Sequence, residues 1–303
     1  MKIALAANRA SGGGLDPEPL AAAMRRRGAE VVVFGCEPEE LERAATAAPQ
    51  RIAAAGGDGT IGPVAAIARR LGVPLAVIPA GTANDFARAA GLPDDPVAAA
   101  ELAADGTGTR PMEIGHLADG RPFVNVASAG LASVAARRAQ PLKPRLGPLA
   151  YGVGALRAAL GERPLPVTVR VDGAEAFAGP CWQAIVAVTG VFGGGSGVGE
   201  TDPHDGELDV VVLPAGSRIG LARRAWGLRT RTIRQQRGVG HHRGRVVEVA
   251  LPTGSEINVD GEIRTGGLER VTAEAGAFQL VVPTPPPRGA PGPASGAAAA
   301  RRP

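Results

Sequence analysis

Several things are scarce in this sequence, and each scarcity closes a route. Aromatic residues make up only 3% of the 303 residues. That is too few for the stacking platforms on which single-stranded nucleic acids are held, and it leaves the core to Ala, Val, Leu and Ile. Cysteine occurs twice, as Cys36 and Cys181. The pair fits neither a zinc spacing nor a disulfide framework, so a reduced, cytoplasmic setting is expected. No apolar run approaches the roughly 18 residues that a membrane-crossing helix needs. The apolar part of the opening MKIALAANRASGGG is too short for a signal peptide, so any membrane contact is expected to be peripheral. Charge of one sign is scarce too, since 33 basic and 29 acidic residues leave a net +4.

What is present has a clear order. Short apolar runs at Lys2–Ala7, Val31–Phe34, Arg51–Ala55 and Leu75–Ile78 alternate with helical patterns at Pro17–Arg27, Glu39–Ala48 and Thr60–Leu71, and another helix begins near Asp85. Such alternation predicts βαβ units and a doubly wound parallel sheet over residues 1–116. From there to residue 283 the pattern is strand after strand, joined by Gly, Pro and Asp-Gly turns, among them the hairpin signal Asp172-Gly173. An α/β domain followed by an antiparallel β-sandwich is the expected architecture. Two helical inserts, at 149–160 and Arg218–Gln236, interrupt the second domain. The strands expected there include Ala174–Ala178 and Trp182–Val188 as separate elements. The Pro-, Gly- and Ala-rich stretch 284–303 reads as a disordered tail.

The chemistry concentrates in loops that follow strands of the first domain. Gly56-Gly57-Asp58-Gly59-Thr60-Ile61-Gly62 follows one strand and opens a helix. Consecutive glycines let backbone amides approach an anion, and a helix N-terminus adds unpaired N–H groups. Asp58 would repel a phosphate directly, so it makes sense there if it acts through a metal ion or its waters. The bland reading is a βα turn with Asp58 as a cap. A second loop, from Pro79 through Gly81, Thr82 and Asp85 to Arg88, and a third, Asn8-Arg9-Ala10-Ser11-Gly12, belong to the same carboxyl edge of the sheet. The third has neither the Lys-Ser/Thr of a Walker loop nor a dinucleotide fingerprint. Asp202, Asp205 and Glu207 cluster in a Pro/Gly loop that reads either as a hard-cation site or as a solvated acidic turn. Asp260-Gly261 between short strands is most simply a hairpin turn.

Together these segments identify a resemblance. The chain resembles the diacylglycerol kinase catalytic-domain family, which includes sphingosine and ceramide kinases and bacterial lipid kinases. The resemblance rests on Asn8–Gly12, Gly56–Thr60, Pro79–Arg88 (PAGTANDFAR), Phe123–Gly130 (FVNVASAG), Asp205–Asp209 (DGELD) and Val259–Glu262 (VDGE). It implies an ATP-dependent lipid kinase, with diacylglycerol as the default acceptor and catalysis in the cleft between the domains. The loops Asn8–Gly12 and Gly56–Gly62, with Gly81 and Thr82 beside them, would then hold ATP. Asp58 and Asp85 would organise Mg²⁺, and Asp202, Asp205 and Glu207 would take a structural Mg²⁺. Glu262 would be the base, with Asp260 as its support or as the alternative base. Gly62-Pro63 stands where the family usually has Asn-Glu, Thr189-Gly190 where it has Asn-Gly, and Glu113 where an Asp is common. A soluble-substrate kinase related to NAD kinases, and a degenerate nucleotide- or lipid-binding member, are the alternative functions. The acyl or sphingoid identity of the acceptor stays open, as does pairing into a homodimer.

Between Asp209 and Glu248 the sequence carries nine arginines and no acid. With Ile219, Leu221, Trp226, Leu228 and Ile233, residues 218–245 are expected to form a basic amphipathic segment that touches anionic membrane, with no specific nucleic-acid partner.

Overall fold

A computed structural model describes residues 1–139 and 161–284. The helix expected over 149–160 lies outside the described residues, as does the tail from 285 onward.

Four parallel strands, β1 (Lys2–Ala7), β2 (Glu30–Phe34), β3 (Arg51–Gly56) and β4 (Leu75–Pro79), stand in the order β2-β1-β3-β4. Apart from Lys2, every residue of β1, β3 and β4 is buried. That is why their sequences run apolar without alternation. Helices α1 (Glu18–Arg26), α2 (Pro38–Thr46), α3 (Asp58–Leu71), α4 (Asp85–Ala89) and α5 (Pro96–Asp105) accompany them. Pro17 caps the start of α1, and Gly28, just past its end, is left-handed at φ 82°. Gly72 closes α3 in the same way at φ 66°, its N–H returning to Ala68 and Arg69 carbonyls. Asp95 caps α5 by accepting from Ala98 N at 2.7 Å, with Pro96 in the first turn. The carboxyl ends of β1, β3 and β4 are therefore neighbours, and the three Gly-bearing loops emerge side by side.

β5 (Gly108–Leu117) carries the chain into an antiparallel region made of β6 (Pro122–Phe123), β7 (Val126–Gly130), β8 (Leu165–Val171), β9 (Ala174–Ala187), β10 (Val191–Phe192), β11 (Ser196–Gly197), β12 (Leu208–Pro214), β13 (Gly240–Gly244), β14 (Val246–Ala250), β15 (Glu256–Val259), β16 (Glu262–Thr265) and β17 (Leu268–Val282). Inward Val, Leu and Ala residues of β7, β8, β9, β12, β14 and β17 form its core. The strands expected at Ala174–Ala178 and Trp182–Val188 are one element, β9. Pro180 stands opposite Pro166, so both missing donors fall on one rung, and Gly179 at φ 145° bends the strand without ending it. The Asp172-Gly173 hairpin forms as expected, with φ 50° and 82°.

The last strand does not stay in the second domain. After a register shift between Glu274 and Phe278, β17 pairs with β4 in parallel at Leu280↔Leu75. Phe278 and Leu280 are buried with Ile52, Leu75 and Met112 in the first domain's core. The chain thus crosses between the layers twice, out along β5 and back along β17. Helix α6 (Leu131–Ala139) follows β7. Helix α7 (Arg218–Arg229) and the 3-10 turn Ile233–Gln235 lie between β12 and β13. Among the described residues, no helix is long and apolar enough to cross a membrane.

Candidate active site

The three loops touch one another at glycines. A Cβ on Gly12 would lie 2.6 Å from the Ala80 carbonyl oxygen, and one on Gly81 would lie 2.4 Å from Gly57 Cα. Ser11 Oγ accepts from Gly57 N at 3.2 Å, and Asn8 Nδ2 donates to Thr60 Oγ1 at 3.3 Å. Asn8 Oδ1 takes the Ala10 N–H, bending its own loop back. No side chain caps the start of α3, so its first-turn amides face the loops with the helix's partial positive charge behind them. Converging amides at a helix start make a site suited to an anionic group. Gly81 lies within it, whereas Arg9 and Thr82 are exposed at its rim. Ile61 and Gly62, expected to hold ATP, turn the other way. The Ile61 side chain is buried in the core, and Gly62 faces β6, where a Cβ would meet the Pro122 carbonyl oxygen at 2.9 Å. That close approach of α3 to β6 accounts for glycine at this departure from the family pattern.

Asp58 and Asp85 act as ties between segments. Asp58 Oδ2 accepts from Asp85 N at 3.1 Å, and Oδ1 accepts from Phe86 N at 2.8 Å and Asn125 Nδ2 at 3.0 Å. Thr189 Oγ1 donates to Asn125 Oδ1 at 2.5 Å, which turns the amide's N–H₂ toward Asp58. Thr189, a departure from the family pattern, therefore orients Asn125. The buried Asp85 carboxylate accepts from Gly194 N at 2.9 Å and Gly195 N at 2.7 Å. Burial is the main cause raising its pKa, against the pull of the Gly194 amide and with the Asp58 charge adding. Asn84, just before it, is left-handed at φ 51° and bonds Gly81 through both ends of its amide. The structure thus joins the phosphate loop to β7 and to the β10–β11 turn through two carboxylates. Neither stands free as a metal ligand.

Asp260 and Glu262 separate cleanly. Asp260-Gly261 is a two-residue hairpin, with φ 47° and 92°. Asp260 is also buried, its oxygens accepting from Val124 N at 2.7 Å and from Asn125 N and Val126 N at 2.9 Å. Burial pushes its pKa up to about 7 against those amides. Committed to three backbone donors, it cannot reach an acceptor hydroxyl. Glu262, two residues on, lies against the phosphate loop, for a Cβ on Gly59 would meet its Oε1 at 2.8 Å. Glu262 shares a cavity of about 220 Å³ with Asn8, Gly59, Thr60, Pro63, Arg121 and Arg264. Arg264 pairs with it. The Glu262 side chain is 52% exposed, so only its partial desolvation against the loop raises its pKa, and the Arg121 charge opposes the rise. A carboxylate held this way can accept a proton from a hydroxyl beside the loop.

The expected cation loop is arranged differently. Arg243 pairs with Asp205, lies 3.6 Å from Glu207 and 3.5 Å from Asp209. Glu113 accepts from Gly206 N, and burial pushes its pKa up to about 7. A guanidinium thus meets Asp205 and Glu207, two of the three residues expected to hold Mg²⁺ with Asp202. Among the described residues no group of three His, Cys, Asp or Glu could hold a metal ion. The donor sets, both here and at Asp58 and Asp85, do not fit a protein-bound ion.

A second cavity, of about 190 Å³, is lined by Val126, Ser128, Ile185, Phe192, Leu213 and residues of α6 and α7. Its wall is almost wholly apolar. Phe192 reaches it from the turn whose Gly194 and Gly195 Asp85 holds. Sequence reasoning missed Asn125, Arg121, Arg264 and this cavity. Asn125 carried a signal, a lone amide inside the apolar run FVNVA. Arg121 and Arg264 carried none, since only the fold brings them to Glu262.

Comparison with known proteins covers nearly the whole chain. Residues 2–117 match the diacylglycerol kinase catalytic domain, and residues 125–282 match the YegS C-terminal NAD kinase beta sandwich-like domain. A Pseudomonas aeruginosa protein named "Probable lipid kinase YegS-like" is 32% identical, over 94% of this chain and 96% of its own. A Mycobacterium tuberculosis protein named "Diacylglycerol kinase" is 29% identical, over 86% of this chain and 88% of its own. A Bacillus anthracis diacylglycerol kinase structure superposes with a TM-score of 0.72 at 22% identity, over 92% of this chain and 96% of its own. At that identity the superposition bears on the fold alone.

Proposed function

This chain belongs to the family of diacylglycerol kinases and YegS-like lipid kinases, and we propose that it transfers the γ-phosphate of ATP to a lipid hydroxyl, diacylglycerol being the leading acceptor and phosphatidic acid the product. The observation that carries the reading is Glu262 set against Gly59 of the phosphate loop, with an apolar cavity tied to the same loop through Asp85. ATP would rest its phosphates on the α3 N-terminus, Ser11 and Asn8. The acceptor's acyl part would fill the apolar cavity, leaving its hydroxyl toward the loop. The hydroxyl oxygen bonds to the γ-phosphorus as the bond to the β–γ bridging oxygen breaks. ADP leaves, and Glu262 takes the hydroxyl proton. Arg121 and Arg264 bring positive charge to the cavity in which phosphoryl charge develops. No step is routed through a metal ion. Apart from vesicle and turnover assays, the direct test is transfer of labelled phosphate from ATP to a panel of lipid hydroxyls.

Filling the cavity tests the acceptor half. Ala225→Trp, on the α7 wall, is expected to raise KM for long-chain diacylglycerol by at least about tenfold. ATP affinity should stay as it is. An equal effect on both substrates would point to a disturbed fold rather than a filled cavity.

The pH profile tests Arg121. Protonated Glu262 cannot accept a proton, so kcat/KM falls as pH drops through its pKa, which partial desolvation has raised. Removing the opposing charge by Arg121→Gln raises that pKa further. The acid limb should move to higher pH, and Arg121→Lys should move it part of the way back. An unmoved limb would mean that Arg121 has no hold on the base.

A further inference from the structure

Helix α7 carries apolar residues on two opposite faces, and only one of them is used inside the protein. Leu221, Ala225 and Leu228, spaced i, i+4, i+7, line the apolar cavity, Leu221 buried, Leu228 half-buried and Ala225 exposed at its mouth. Ile219, Ala222, Arg223, Trp226 and Arg229 follow the same spacing on the other side and are all exposed. Ile219 is 85% and Trp226 69% exposed, the two most exposed large hydrophobic residues described. The expectation of a single basic, amphipathic segment over 218–245 needs correction. Arg234 is paired with Asp209 at 2.7 Å and Arg243 with Asp205, so their charges are met internally. Arg224 turns inward to the Pro214 carbonyl. The outer face of α7 keeps Arg223 and Arg229, the latter also donating to Gly194 O at 3.3 Å through one nitrogen. Arg231, just past the helix end, is exposed beside it.

A tryptophan and an isoleucine two helical turns apart, flanked by arginines with no acid between Asp209 and Glu248, match one surface in chemistry. Tryptophan favours the boundary between headgroups and acyl chains, and guanidinium favours lipid phosphates. We propose that the outer face of α7 docks on an anionic bilayer, with Ile219 and Trp226 entering the headgroup–acyl boundary and Arg223 and Arg229 on its phosphates. The proposal rests on the lipid-kinase reading for its purpose, because the helix that lies on the bilayer is also a wall of the acceptor cavity. An acceptor lipid would then enter from the membrane without crossing water.

The test uses the full chain without nucleotide, mixed with vesicles of neutral phosphatidylcholine or of phosphatidylcholine with anionic phosphatidylglycerol. The chain has two tryptophans, and Trp182 lines the apolar cavity, so the emission is read on a Trp182→Phe background, where a shift on binding reports Trp226. Cosedimentation with anionic vesicles only, falling steeply with salt, is expected, together with a blue shift and quenching by brominated acyl chains. Ile219→Ser with Trp226→Ser, and separately Arg223→Glu with Arg229→Glu, should each weaken vesicle binding by about tenfold or more. Equal binding to both vesicle types overturns the proposal. So does binding with an unshifted emission, or displacement of vesicles by a nucleic acid that the four residues also govern. Phosphate transfer to a dispersed short-chain acceptor is measured separately on the unaltered chain. Its failure, with vesicle binding intact, would sink the kinase reading and leave the docking face standing.

Discussion

Glu262→Gln is expected to lower kcat by roughly 10²-fold or more, the usual scale for a lost general base, with little change in ATP affinity. Gln keeps the size of the side chain and its contact with Gly59, but it cannot accept the hydroxyl proton. Asp260→Asn should behave in another way. Its two oxygens face three backbone N–H groups, so an amide must point a donor at a donor. Leaving a buried donor unpaired costs about 1–3 kcal/mol, and more where a charge was the partner. The expected result is a lower melting temperature, with activity falling only as far as the hairpin loosens. Thermal unfolding and single-turnover kinetics on both variants distinguish the two. A larger chemical-step loss in a fully folded Asp260→Asn protein would move the base to Asp260.

Asp58→Ala is expected to abolish measurable phosphate transfer while most of the fold survives. The carboxylate is the shared acceptor for Asp85 N, Phe86 N and Asn125 Nδ2. Its removal frees the start of α4 from the phosphate loop and releases Asn125 and, through it, β7. Positioning is most of what phosphoryl transfer asks of a protein, so an ångström of play here reaches the reacting atoms. Asp58→Asn, which still offers one acceptor, should recover part of the stability and less of the rate. Circular dichroism with turnover measurement checks both, and a folded Asp58→Ala protein with ordinary turnover would rule out the tie.

Elements with strong local signals were readable from the sequence. Lys2–Ala7 is one strand with the bounds its apolar run indicates, and Asp172-Gly173 makes its hairpin. The three Gly-bearing loops converge because parallel order follows from βα alternation. What the sequence concealed are relations between distant segments. Asp85 holds Gly194 and Gly195, and Arg121 meets Glu262, across separations that no local pattern encodes. The burial of the Ile61 side chain and the approach of Gly62 to β6 were concealed for a different reason. A Gly-rich loop marks where a phosphate can approach, but the helical period alone decides which later residues turn toward the core. The acidic run 202–209 likewise suggested a cation, and the guanidinium that meets it comes from β13, far along the chain.

The central claim is tested most directly by incubating the purified chain with γ-labelled ATP and Mg²⁺ over dispersed diacylglycerol, other lipid hydroxyls and the soluble acceptor NAD. Label in phosphatidic acid, lost in the Glu262→Gln protein, is the predicted result. Label in NAD alone, or equal label in lipid from both proteins, would contradict it.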